Sequence, residues 1–98
     1  MSTITSTTRT DAIGVTDGPY LIRLKGTWGG GSITIYHATS RPTDVEEADW
    51  FVLDDSDGAT AVTEDKTYKA ILPAGSISFK ASSAPTSVVA EVVKINSY

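Results

Sequence analysis

The sequence predicts an all-β protein: a small antiparallel β-sandwich or jelly-roll-like barrel of about seven strands, preceded by an extended N-terminal arm. Three observations predict it. Apolar and polar residues alternate with period two in short runs, at residues 20–25, 32–38 and 76–81. Clusters of Gly, Pro, Asp and Ser separate these runs at spacings of roughly ten residues. No segment carries a 3.6-residue apolar period long enough for a convincing helix.

The chain is organised around PYLIRLKGTWGGGSITIYHA, residues 19–38, read as two strands joined by a glycine turn to which the other strands add. Tyr20, Ile22 and Leu24 alternate with Leu21, Arg23 and Lys25, and Ile33 and Ile35 alternate with Thr34 and Tyr36. Residues 1–17 precede it as an arm rich in Ser and Thr. The arm has strand propensity but few apolar groups to offset its ordering entropy, which predicts weak docking and suits either donation of a strand to a neighbouring subunit or attachment along the surface of a larger assembly. Residues 18–98 form the sandwich domain.

Beyond the central pair, Pro42 disfavours helix at Arg41, leaving a loop with one helical turn within residues 43–48. Residues 50–53, Trp-Phe-Val-Leu, make a short strand apolar on both faces, hence covered on both sides. A short strand is expected at 59–63 and a firmer one at 66–72, the latter closed by Pro73, Ala74 and Gly75 and paired as a hairpin with the alternating run at 76–81. Residues 82–87 form a loop. The last run, SVVAEVVKI, is apolar on both faces apart from Glu91. One face belongs to the core and the other to a neighbouring subunit, with Val88, Val89, Val93 and Ile95 contributing to an oligomer interface.

Length and charge bound the function. A 10.3 kDa chain should fold to roughly 5,400 Å² of surface and bury only about two thirds of what it exposes unfolded. With no cysteine there is neither a disulfide nor a thiolate metal site, so self-association is the expected further source of stability. A formal charge of −4 argues against nucleic-acid and anionic-membrane partners. The N-terminal residues have neither the basic nor the apolar region of a signal peptide, which predicts synthesis in a cytoplasm.

The residues that carry chemistry are sparse. His37, the only histidine, follows Ile33 and Ile35 along one strand face and reads as a core-edge or surface residue without a catalytic or metal partner. Carboxylate pairs such as Asp54 with Asp57, or Glu46 with Asp49, lack the cleft that glycosidase chemistry needs. In DSDGATAVTE, Asp55, Asp57, Gly58 and Glu64 match part of a calcium loop, but its first ligand position falls on Leu53 and the flanking helices are missing. An Asp57-Gly58 turn between strands is the better reading, so neither metal nor cofactor is expected. Trp28 and Trp50 are of the residue type that stacks on sugars, but a small sandwich commonly packs an indole in its core. Arg23, Lys25, Lys66, Lys69 and Lys80 read as a solvated face.

The order of turns carries a resemblance. Gly26, Thr27, Trp28, Gly29 and Gly30, then Asp57 and Gly58, then Tyr68, Leu72, Pro73, Ala74 and Gly75, and finally a valine-rich strand, resemble the succession in small β-sandwich proteins of tailed-bacteriophage virions that decorate heads or form the bases of head fibres. The resemblance covers residues 19–95. It implies a non-enzymatic structural protein of the virion, made in the bacterial host cytoplasm, often trimeric, and bound to capsid or another virion protein. The alternative is a carbohydrate-binding module for host-surface attachment, with Trp28 or Trp50 as its platform.

Overall fold

The alternating runs become two facing sheets. The computed structural model describes residues 2–53 and 61–95. Its strands are β1 (Ser2–Ile4), β2 (Ile13–Val15), β3 (Gly18–Thr27), β4 (Ser32–Ala38), β5 (Phe51–Val52), β6 (Lys66–Leu72), β7 (Gly75–Ser83) and β8 (Ser87–Lys94). The first sheet has the order β1-β8-β3-β6 and the second β2-β7-β4-β5, all neighbours antiparallel. Val62 adds an isolated bridge to Ile33, beside β5 on the free side of β4. The sheets pack as an open sandwich, so the barrel alternative does not apply.

The pairing is nested. β1 pairs with β8, β2 with β7, β3 with β6 and β4 with β5, and successive pairs alternate between the sheets. Lateral pairing of β3 with β8 and of β4 with β7 completes each sheet. The chain is therefore a long hairpin folded over on itself. Its inner faces bring Tyr20, Ile22, Leu24, Leu72, Val88 and Ala90 of the first sheet against Ile33, Ile35, Ile77, Phe79 and Ala81 of the second. Each large side chain so buried contributes about 1.5–3 kcal/mol. The accessible surface of 5502 Å² agrees with the value expected from mass.

Two expected hairpins turn out to be crossings between sheets. Residues 20–25 and 32–38 do not pair: β3 bonds to β6 and β8, β4 to β5 and β7. Both strands bury one apolar face, and a sandwich satisfies this by setting those faces opposite each other. At the crossing, Gly31 N–H donates to Trp28 O at 2.8 Å around Gly29 (φ 54°) and Gly30 (φ 83°), a turn that needs positive φ at both central positions. The turn lies tight against the β7–β8 connection, since a Cβ on Gly31 would stand 2.6 Å from Pro85 Cα and one on Gly26 would overlap Ser87 O. Likewise, β6 and β7 belong to different sheets, and the Pro73-Ala74-Gly75 turn crosses between them with Gly75 against the Ala38 carbonyl.

Other expectations change as well. Of the run at 50–53, only Phe51–Val52 is strand, and instead of being covered on both faces these residues are 74% and 48% exposed on the sheet edge. The segment expected to dock weakly supplies an edge strand to each sheet. Ile4 and Val15 are core residues, and Thr10 exchanges two hydrogen bonds with the Phe79 backbone. The count rises above about seven because of these two strands. The helical turn is a 3-10 turn at Glu47–Asp49, within which Asp49 N–H bonds to Glu46 O. Of the expected strand at 59–63, residues 59 and 60 lie outside the described residues and Val62 forms only the bridge.

Candidate interaction surface

The outer faces of the two sheets are treated differently by the chain. On the second sheet, alternation puts Ser76 and Ser78 outward, yet both are fully buried. Ser76 Oγ donates to Ser40 O at 2.7 Å, and Arg9 Nη1 donates to Ser78 Oγ at 3.0 Å. The Arg9 guanidinium lies 4.3 Å from the Tyr36 ring centre and 5.2 Å from that of Trp50, with Glu47 as its ion-pair partner at 2.5 Å. Hydrogen bonding to Arg9 holds the Glu47 carboxyl below its ordinary range. The arm and the segment at 40–50 thus cover this face themselves, because a cation stacked on two aromatics and paired with a carboxylate fastens one to the other.

Among the described residues, none forms such a cover on the first sheet. Register places its outward residues in rows: Ile71 beside Pro19; Lys69, Leu21 and Val93; Thr67, Arg23 and Glu91; Lys25, Val89 and Thr3. All are exposed or half-buried, with Ile71 at 78% and Val93 at 40%. Arg23 Nη1 donates to Glu91 Oε1 at 3.2 Å, and Arg23, Lys25, Val89 and Glu91 line a shallow groove of about 230 Å³. The face combines aliphatic side chains with cations whose stems add further apolar surface.

The structure divides the four predicted interface residues. Val89 and Val93 lie on this open face. Ile95 follows β8, half-buried, its N–H donating to Pro19 O at 3.0 Å. Val88 is fully buried in the core and cannot meet a partner, a correction that follows from its pairing with Gly26 on the inward row. Sequence reasoning missed Leu21, Arg23, Lys25 and Ile71 as companions of Val89 and Val93. Alternation had placed them opposite the core residues, but their partner strands depend on register.

The other candidates are engaged within the fold. Trp28 packs against the core, and its Nε1–H donates to Asp65 Oδ1 at 3.0 Å, which also accepts Gly26 N–H at 3.0 Å. These two donors, the indole first, hold the Asp65 carboxyl below its ordinary range. Trp50 is half-buried beside Arg9. His37 is 9% exposed, with Nε2 3.0 Å from Pro73 O. Asp49 Oδ2 accepts Glu46 N–H at 2.8 Å, and the Glu46 side chain accepts the Asp49 N–H in turn, so the pair forms a capping box on the 3-10 turn. Asp54, Asp55, Asp57 and Gly58 lie outside the described residues, and the remaining described residues contain no cluster of three metal-ligating side chains. Among them, no helix is long and apolar enough to cross a membrane. Compared with models of known protein families, with curated proteins and with solved structures, the chain matches none.

Proposed function

We propose that this chain is a non-enzymatic structural protein of a bacteriophage virion, decorating or stabilising the capsid or forming part of a fibre, and that it acts through contacts made by the open face of its first sheet. One observation carries the reading: the described arm and loop cover the outer face of the second sheet, whereas on the first Ile71 and Val93 are exposed and Leu21 and Val89 half-buried. The nested strand pairing supports it. This is the connectivity of a jelly roll, an architecture used in viral capsid domains and in lectins. In this proposal the partners are further copies of the chain, as a trimer, and a capsid or fibre protein, with neither nucleic acid nor membrane involved.

Sugar binding has less support, since Trp28 has its indole N–H committed to Asp65 and Trp50 is half-buried beside Arg9. The test is composition of the particle. Mass spectrometry of gradient-purified virions from the genome that encodes the chain should find it in many copies, and added protein should cosediment with particles lacking it. Its absence from virions, together with glycan-dependent quenching of tryptophan fluorescence, would reverse the order of the two readings.

A further inference from the structure

We propose that Tyr36, Trp50, Glu47 and Ser78 form a guanidinium-recognition socket for an arginine carried on a peptide segment, filled by Arg9 of the chain's own arm and open to exchange for Arg9 of a second copy. The exchange rests on the self-association in the reading above and names an element that makes it; the chemistry of the socket stands apart from it.

The socket addresses both the flat faces and the edge of its ligand. The guanidinium carbon stands 4.3 Å from the Tyr36 ring centre and 5.2 Å from that of Trp50, both within cation–π range. Around the edge, Nε donates to Glu47 Oε1 at 3.4 Å, Nη2 to Glu47 Oε2 at 2.5 Å and Nη1 to the buried Ser78 Oγ at 3.0 Å. Three nitrogens thus meet three separate acceptors, a fork that the single point charge of an ammonium does not match. The next residue sets the register: Thr10 N–H donates to Phe79 O at 2.9 Å, and its Oγ1 accepts Phe79 N–H at 3.0 Å. Arg-Thr is therefore the recognised unit, with its side chain in the socket and its backbone against β7.

All four parts of the socket are anchored outside the arm. Tyr36 and Ser78 are register partners on β4 and β7, so their side chains leave the same side of the sheet. Glu47 and Trp50 belong to the 3-10 turn and its C-cap, where the capping box closes the turn and Ser40 Oγ donates to Asp49 Oδ2 at 3.4 Å. The two residues that follow pair with His37 and Tyr36. A site preorganised in this way takes a ligand without having to be built by it. Arg9-Thr10 is the only Arg-Thr pair in the sequence, so a second copy supplies the unit from the same arm. Asp11, exposed, and Ala12 lie outside any strand between Thr10 and β2 and serve as the hinge. Turning there carries β1 and Arg9 together to a neighbour's β8 edge and socket, and every contact they make at home is reproduced.

The experiment uses the full chain. Arg9→Ala vacates the socket, and Arg9→Gln, which keeps most of the stem, gives the same readings should the first variant fail to fold. Amide exchange at residues 47–50 should rise about tenfold in either variant, the weight of one desolvated cation–π contact. Millimolar methylguanidinium should return it to within about twofold of wild type, and methylammonium should not. Unchanged exchange in β3 shows that the additive is not acting as a denaturant. For the exchange, an isotope-labelled Arg9→Ala chain is mixed with unlabelled Glu47→Lys, whose own arginine is repelled from its socket. Protection at 47–50 of the labelled chain should return without additive, and a partner carrying both substitutions should not restore it. An equal response to methylammonium, or none to methylguanidinium, would overturn the socket. Rescue by the small cation with none by the mixed chain would overturn the exchange. Particle composition decides the virion reading separately, and the methylguanidinium result stands whatever the particle contains.

Discussion

Replacing Ile4 with Ala tests whether the N-terminal segment is part of the core. Ile4 is 2% exposed and sits in β1 opposite Val88, where its side chain joins the core cluster. Truncating a buried Ile to Ala costs about 2–5 kcal/mol, depending on how far the site collapses. An edge strand of three residues can move inward, so about 2–3 kcal/mol is expected here. Against a total stability of about 5–15 kcal/mol this is a large fraction. For a domain of this size it lowers Tm by about 8–24 °C. Thermal and urea melts followed by circular dichroism would measure it, with protomer concentration held fixed because association shifts apparent stability. Thr3→Ala, at an exposed position on the same strand, should stay within about 0.5 kcal/mol. If Ile4→Ala melts with the wild type, β1 contributes nothing to the fold and residues 1–17 behave as the detachable arm that their composition suggests.

Other perturbations follow from single contacts. Gly75→Ala would drive a Cβ into the Ala38 carbonyl and should cost well over 1 kcal/mol or abolish folded yield, whereas Gly30→Ala meets no atom within 4 Å and should cost about 1–2 kcal/mol for its left-handed φ alone, as read by urea midpoints. Arg9→Ala removes the link between arm and loop and should raise amide exchange at residues 9–10 and 47–50 relative to β3. The Asp65 pKa is lowered in the folded state by the Trp28 and Gly26 donors. Its contribution is therefore present above the unfolded carboxylate pKa and disappears as pH falls through the lower folded value; Asp65→Asn should flatten that acid limb in a stability–pH profile. EDTA should leave Tm unchanged within about 1 °C, and restoration by Ca²⁺ of a lost transition would reinstate DSDGATAVTE as a ligand loop.

Alternation identified the faces of the strands more securely than their partners. Tyr20, Ile22 and Leu24, and Ile33 and Ile35, are inward as their spacing implies, because period two is a property of one strand alone. Which strand lies beside it is a property of the whole chain. A glycine turn between two alternating runs looks the same in sequence whether it makes a hairpin within one sheet or a crossing between two. Here the distinction lies in Gly26, Gly31 and Gly75, each pressed against a distant backbone. The arm was misjudged for a related reason. Ile4 and Val15 are too few to suggest a docked segment, yet each meets a pocket formed by other strands, and the ordering cost is shared with β7 and β8 hydrogen bonds.

The open face shows how register converts a two-faced strand into a directional one. SVVAEVVK offers valines to both sides, and a slip of one residue would exchange Val88 and Ala90 for Val89 and Glu91 in the core. Such a slip would bury a carboxylate without its partner, at a cost of several kcal/mol. The observed register instead pairs Glu91 with Arg23 outside, sets Ala90 opposite Leu24 inside, and brings the Ser87–Val88 backbone against Gly26, where a Cβ would not fit. Three unlike constraints, charge, volume and close backbone approach, therefore agree on one alignment. That alignment leaves Val89 and Val93 outside, on the face assigned here to a partner.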